Sequence, residues 1–240
     1  MSKTIAIFGF GPGLGMGTAR RFGREGFRVA VIGRDPDKAR RHADELIADG
    51  IEAAPFPADV TAAAQIEDVI ARIETSFGPI DVAMHGAAGE MVNRIPSTLD
   101  VDIPSLGIPF ALKLHSPILM TRALAAGMVE RGDGALLFSS GASERHPLPY
   151  LSNFGIALAA QRGYLRQLEV ELRGTGVYVG LLNIGVLIGG SKAERIVDEH
   201  PELVPAELEI VRMGNDELGD CYWRMYTERD TGELDVGFVD

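Results

Sequence analysis

The run Phe8-Gly9-Phe10-Gly11-Pro12-Gly13-Leu14-Gly15-Met16-Gly17 constrains this chain more than any other stretch. Ahead of it stands Thr4-Ile5-Ala6-Ile7-Phe8, short, apolar and β-prone, and behind it Thr18 to Glu25 reads as a helix. A buried strand that ends in a glycine turn and opens into a helix N-terminus makes a cradle for an anion. Glycine lets the backbone approach a diphosphate, and the free N–H groups of the first helical turn point at it. The spacing G-x-x-x-G-x-G fits twice, as Gly9/Gly13/Gly15 and as Gly11/Gly15/Gly17. The first fit is preferred, because Gly9 directly follows the strand and Leu14 fills the apolar slot between the last two glycines.

The rest of the chain repeats the strand–helix alternation. Phe27–Ile32 reads as a second strand, closed by Gly33-Arg34-Asp35-Pro36, and Asp37–Asp49 as a helix with Ala39, Ala43, Leu46 and Ile47 on one face. Ile51–Pro57 is a third strand, after which Thr61 is placed to cap a helix carrying Ile66, Val69, Ile70 and Ile73. Ile80–Met84 is a fourth strand, followed by His85-Gly86-Ala87-Ala88-Gly89. The proline-broken stretch Pro96–Pro109 leads into a long helix from Phe110 to about Glu130, with Pro117 either kinking it or marking its true start. Strands at Ala135–Ser139 and Val177–Ile184 flank a periodic helix over Ser152–Arg173. Lys192–Glu209 is polar and proline-dotted, and residues 190–210 are assigned as a substrate flap. Asp216–Arg229 reads as a helix and Glu233–Val239 as a last strand. The pattern predicts an α/β fold, a doubly wound parallel sheet with helices on both faces, and one domain over residues 1–240.

Composition narrows the function classes. A net charge of −11 argues against nucleic acid as a partner. The single cysteine, Cys221, excludes an internal disulfide and fits a reducing compartment. No apolar run is long enough to span a bilayer, so the expectation is a soluble, cytoplasmic protein with no membrane partner and no metal. Met120, Met128, Met213 and Met225, with Tyr222 and Trp223, read as core or interface packing.

These landmarks together resemble the short-chain dehydrogenase/reductase family, along most of the chain. The glycine turn matches the family's T-G-x-x-x-G-x-G with Phe8 in the Thr position. Gly26 stands where the family ends its first helix. Asp59-Val60 matches the pair that holds the adenine, His85-Gly86-Ala87-Ala88 stands at the family's N-N-A-G, and Asn183-Ile184-Gly185 overlies N-x-P-G. The resemblance implies a Rossmann-type fold and a nicotinamide cofactor held by Gly9, Gly13, Leu14, Gly15, Asp59, Val60, Gly86, Ala87 and Gly185. The residue after the second strand separates the two cofactors: an acid suits the ribose 2′-OH of NAD, a cation the 2′-phosphate of NADP. Here the acid's position is Gly33 and Arg34 follows, so NADP is favoured over NAD. By resemblance the long helices are also dimer faces, which implies a homodimer or homotetramer.

The catalytic positions depart from the family. Anchoring on Leu165–Leu172, which resembles the family's helix after the active Tyr, puts Phe154 in the Tyr position and Leu158 in the Lys position. The Ser position falls on Gly141, beside Ser140 and Ser139, and the Asn position on Lys113. Tyr150 does not restore the motif, because Phe154, not Lys, follows four residues later. Candidates for the missing groups are Ser140, Lys113 and Tyr150, with His85, Glu144 and His146 also at the carboxyl edge of the sheet. His115 stands two residues from Lys113, about 200° round the helix, so the two do not face one cleft. Two readings stay open: an NADP-dependent oxidoreductase acting on a carbonyl or alcohol through a non-standard active site, and a non-catalytic NADP-binding sensor or silent subunit.

Overall fold

The computed structural model describes residues 2–88, 96–147, 151–203 and 210–238. Its centre is a seven-stranded parallel sheet of β1 (Thr4–Phe8), β2 (Arg28–Gly33), β3 (Ala53–Pro57), β4 (Val82–His85), β5 (Gly134–Gly141), β6 (Val177–Ile184) and an edge strand Glu233–Val236. The spatial order is β3-β2-β1-β4-β5-β6 and then the edge strand, so the winding reverses between β1 and β4. Ligands bind in such sheets outside the carboxyl ends of the strands at that reversal.

Strand periodicity explains the two cores. Ile5 and Ile7 of β1 and Val29 and Val31 of β2 pack on one face, against α1 (Leu14–Arg24) and α2 (Pro36–Ala48). Ala6, Phe8, Ala30 and Ile32 point the other way, toward α3 (Ala63–Phe77), as side chains of successive strand residues must. Buried runs with no polar alternation are what a sheet covered on both faces requires.

The sequence-predicted helix from Phe110 to Glu130 starts earlier and carries a π turn within it. α4 (Ile103–Phe110) begins inside the proline-broken stretch, capped by Asp102, whose carboxylate accepts from the Ser105 N–H at 2.9 Å. A π-helical turn spans Ala111–His115, and α5 (Ser116–Arg131) follows without a break, the backbone of His115 and Ser116 staying right-handed helical on either side of the junction. Pro117 therefore lies just past the π turn rather than at a free helix start, and the segment from Pro96 to Pro109 is helical at its end.

α6 (Ser152–Glu171) follows β5. After β6 come β7 (Leu187–Ile188), α7 (Lys192–Glu199) and β8 (Arg212–Met213); β7 and β8 pair with each other. The polar stretch assigned as a flap therefore carries a helix capped by Ser191, which accepts from the Glu194 N–H at 3.0 Å; residues 204–209 lie outside the described residues. α8 (Asn215–Glu228) leads to β9 (Glu233–Val236), the edge strand, which pairs parallel with β6.

Thr61 does not cap α3. The N-cap is Ala62, and Thr61 instead donates its N–H and its hydroxyl to Asp59 Oδ1 at 2.9 and 2.7 Å. Among the described residues no helix is long and apolar enough to cross a membrane.

Candidate active site

The glycine turn joins β1 to α1 at the reversal of strand order. Gly9 has φ +78°, a conformation side chains resist, and a Cβ there would overlap Ala87 in the loop after β4. Gly9 and Ala87 therefore meet because neither has more than a methyl group to place between them. Gly13 is the N-cap of α1 and makes no side-chain cap bond. Met16 N–H turns back to Gly11 O and Gly17 N–H to Gly13 O, which leaves the N–H groups of Gly13, Leu14 and Gly15 without a hydrogen bond among the described residues. An uncapped helix start with several free donors is a ready anion site. Above it, a Cβ on Gly13 would come within 2.9 Å of Ser191 Cβ and 3.2 Å of Ile188 Cγ2, so the segment after β6 closes over the turn. Asn215 Nδ2 donates to Pro12 O at 3.1 Å and ties α8 to the same turn.

Gly17 serves another purpose. A Cβ there would overlap the backbone carbonyl of Asn215, and one on Gly219 would overlap Gly17 O. These two glycines let α1 and α8 touch backbone to backbone. The register Gly9/Gly13/Gly15 is thus the one that leaves donors free, and Gly17 belongs to helix packing.

Arg34 leaves β2 at the exposed rim and has no salt bridge among the described residues. The neighbouring acid Asp35 is occupied: its carboxylate caps α2, accepting from Asp37 and Lys38 N–H at 3.0 and 3.1 Å. Asp59 lies within reach of Arg34's charge. The Thr61 N–H and hydroxyl, and then Arg34, hold its carboxyl below the ordinary range against the effect of burial. Val60 beside it is buried. Phe10 of the glycine turn packs against the His42 ring of α2 with centroids 5.3 Å apart.

Further along the carboxyl edge, β4 and β5 present polar side chains to the face covered by α5 and α6. His85 ends β4, is fully buried, and meets Ser116 Oγ of α5 through Nε2 at 2.8 Å. Its ring stacks on Phe138, its register partner on β5, at 6.5 Å, and Ser139 Oγ donates to His85 O at 3.3 Å. Burial, and then the charge of Lys113, push the imidazole down to about 3, so it is neutral at physiological pH. Ser140 points to the same face two residues after Phe138, with its Oγ buried and unpartnered among the described residues. Lys113 sits in the π turn, 7% exposed, without an acid partner among the described residues, and burial lowers its amine to about 8. π turns inside helices are frequent at functional sites, because the extra residue re-aims side chains.

α6 closes the cleft. A Cβ on Gly141 would lie 3.5 Å from Leu158 Cδ1, so the end of β5 and the second turn of α6 adjoin there. Phe154 is half-buried one turn earlier. Tyr150 lies outside the described residues. Other candidates are committed elsewhere. Glu144 accepts from Arg162 Nη1 at 2.9 Å inside a network that also holds Arg145, Arg166, Glu233 and Asp235. His146 is exposed and stacks on Phe238 at 5.2 Å, and His115 is exposed on the far side of the turn from Lys113. Gly86 N–H donates to Phe8 O at 2.9 Å, and Gly185 N–H to Val236 O at 2.8 Å, so both glycines hold the loops at the strand ends. Sequence reasoning missed two groups: Ser116, the partner of His85, and Gln161 on α6, fully buried with neither side-chain polar atom partnered among the described residues. Nothing in the local pattern singles them out, since each occupies an ordinary core position of its helix.

Comparison with known proteins agrees with this architecture. Residues 3–197 match the family model of the short chain dehydrogenases. A short chain dehydrogenase of Pseudocercospora fijiensis is 28% identical over 187 residues, covering 76% of this chain and 59% of that protein. The match thus spans less than two thirds of that relative's length. The 2-(S)-hydroxypropyl-CoM dehydrogenase 3 of Xanthobacter autotrophicus is 28% identical over 204 residues, covering 84% and 79%. Among solved structures, a variant of actinorhodin polyketide ketoreductase with NADPH superposes with a TM-score of 0.85 at 21% identity, over 98% of this chain and 95% of that one. A metagenomic short-chain oxidoreductase in complex with NADP gives 0.77 at 22%, over 98% and 97%. At these identities the structural likeness establishes the fold.

Proposed function

The chain belongs to the short-chain dehydrogenase family, and from that premise we propose that it is an NADP-dependent oxidoreductase interconverting a carbonyl compound and its alcohol at a non-standard active site. The observation that carries the reading is the uncapped N-terminus of α1, whose free N–H groups stand at the reversal of strand order, with Arg34 exposed at the end of the neighbouring β2 and in no salt bridge among the described residues. Gly13, Leu14 and Gly15 would hold the diphosphate, with Gly9 supplying the turn. Arg34 would hold the 2′-phosphate, while Asp35, consumed as a helix cap, is withdrawn from a ribose 2′-OH. Asp59 and Val60 would flank the adenine, and Gly86, Ala87 and Gly185 the path to the nicotinamide. That both structural neighbours above carry NADP or NADPH supports the same choice.

When bound, the reduced cofactor supplies a hydride to the substrate carbon. The chain must then orient the carbonyl and deliver a proton to its oxygen. Ser140 Oγ is free to donate a hydrogen bond to that oxygen, and Phe154 and Leu158 make the wall apolar, which strengthens any such bond. Val129 on α5 and Ile156 and Val170 on α6 expose apolar side chains on the faces that pair in this family, which supports a homodimer or homotetramer. The cytoplasm is the compartment consistent with one unpaired cysteine.

The experiment is isotope transfer. NADPH deuterated at the transferable position is incubated with the protein and a panel of ketones and aldehydes, and the alcohols are examined by mass spectrometry. Deuterium in any alcohol supports the reading. Tight NADPH binding with no transfer would favour a second reading, a non-catalytic NADP-binding sensor or silent subunit, which the hydrocarbon side chains Phe154 and Leu158 in the positions aligned with the family's Tyr and Lys support.

A further inference from the structure

Resting on the oxidoreductase reading, we propose that Lys113 is the proton donor of this site, standing in for the phenol that Phe154 lacks. Three observations on its setting carry this. Lys113 is buried in a π turn that packs against α4, α5 and α6, and its charge is felt at the buried His85. His85 and Ser140 lie on the sheet face that α5 and α6 cover, the face on which the charge of Lys113 acts. Among the described residues no acid neutralises the amine; it is a buried cation that lacks an anion. Such a group is stabilised by the one negative charge the reaction creates, on the carbonyl oxygen.

The surrounding charges leave it free for this work. α4 carries no titratable side chain. On α6, Arg162 is paired with Glu144 and Glu233, and burial keeps the Tyr164 phenol protonated. Arg122 and Glu130 on α5 are exposed. His85, from β4, is the group coupled to Lys113, and it is neutral and fixed by Ser116. Burial sets the amine near pH 8, in the range where a general acid works best.

The step balances as follows. The substrate carbon gains a hydride, with both electrons, from the reduced nicotinamide, which is thereby oxidised. The carbonyl π pair becomes an O–H bond as one N–H bond of Lys113 breaks, and the neutral amine regains its proton from solvent. The reverse reaction returns the proton to the amine. Lys113 would accordingly touch the reacting oxygen, whereas Ser140 orients it.

The test uses Lys113→Met and Lys113→Arg in the full chain with NADPH and the carbonyl panel. Expected is a fall in kcat of about 100-fold or more for both variants, with KM changed little, since general acids contribute on the order of 100- to 10,000-fold. NADPH affinity, read by nicotinamide fluorescence, should stay within about threefold of the parent's, because the diphosphate cradle is elsewhere. A second readout needs no turnover. ¹³C-methylated lysines are followed by NMR against pH, and one resonance, absent from Lys113→Met, should titrate near pH 8. An ordinary midpoint above pH 10 would overturn the proposal. So would a kcat within twofold of the parent's, or a rise in KM confined to anionic carbonyls, which would make Lys113 an anchor for substrate charge. Parent protein that binds NADPH but reduces no carbonyl would overturn it too. Parent protein that binds no NADPH would instead overturn the oxidoreductase reading.

Discussion

Two alanine substitutions in helix interiors should have opposite signs. Gly163 on α6 has nothing within 4 Å of where a Cβ would stand, and Gly17 on α1 has the Asn215 carbonyl in that place and Asp216 N at 3.1 Å. Replacing an exposed helical glycine by alanine gains about 0.8–1.0 kcal/mol of helix propensity. Gly163→Ala should keep that gain. Gly17→Ala receives it too, but the start of α8 must retreat by about 1 Å, and overpacking of this kind costs about 1–3 kcal/mol. The retreat also stretches the 3.1 Å bond from Asn215 Nδ2 to Pro12 O, worth about another 1 kcal/mol. The balance for Gly17→Ala is a loss of roughly 1–3 kcal/mol, which for a chain of this size lowers Tm by roughly 3–10 °C. Gly163→Ala should raise Tm by roughly 2–4 °C. Thermal unfolding of both variants beside the parent, by circular dichroism, reads the difference. If Gly17→Ala melts as high as Gly163→Ala, the backbone contact between α1 and α8 is wrong, and Gly17 belongs with the anion cradle after all.

Other expectations follow from the site and its supports. Arg34→Ala should weaken NADPH roughly 10- to 100-fold and leave NADH within about twofold, as loss of a charge-assisted bond to phosphate requires; equal losses for both cofactors would remove Arg34 from the 2′-phosphate. Glu233 receives Arg162 at 2.6 Å together with Arg145 and Arg166, and Arg162 and Arg166 hold its carboxyl down to about 2 against the effect of burial. Its contribution is therefore present above its ordinary value of 4.5 and lost as pH falls toward 2, so Glu233→Gln should melt lower than the parent at pH 7 with the gap closing by about pH 2. Lys113 works in the opposite sense. Its amine, lowered from 10.5 to about 8, makes the folded state bind fewer protons than the unfolded between those values, so parent stability rises through that window. Lys113→Met should accordingly melt higher than the parent at pH 7, with the advantage shrinking toward pH 10.5; no advantage at pH 7 would mean the amine is solvated. The parent's carbonyl reduction should fall above about pH 8, as the amine loses its proton.

The sheet was legible because β1, β2, β4, β5 and β6 are short apolar runs bounded by glycine and proline, and a parallel sheet covered on both faces asks for such runs. The glycine turn between β1 and α1 was legible as well, since Gly9 follows the strand directly. What local pattern could not reveal was long-range. Gly17 looks like part of the turn until α8, two hundred residues on, is laid against it. Thr61 has the chemistry of a cap, yet Asp59 competes for its hydroxyl and wins with two bonds. The π turn at Ala111–His115 has no sequence signature of its own; prolines at 109 and 117 advertise helix breaks, yet the backbone stays right-handed helical from α4 through the π turn into α5. Glu144 read as a free acid because its partners, Arg162 and the edge strand, come from distant parts of the chain. Lys113 could be counted into its position, but its burial, with no counter-ion among the described residues, emerges only when α6 closes over the turn.

The most direct measurement is calorimetric titration of the purified chain with NADPH and with NADH. The free N–H groups at the start of α1 together with Arg34 predict NADPH binding at least about tenfold tighter than NADH, the gap that one phosphate–guanidinium contact supplies. Equal affinities would contradict the role given to Arg34. No heat with either nucleotide would mean that the glycine turn holds α1 and the segment after β6 together and binds no cofactor.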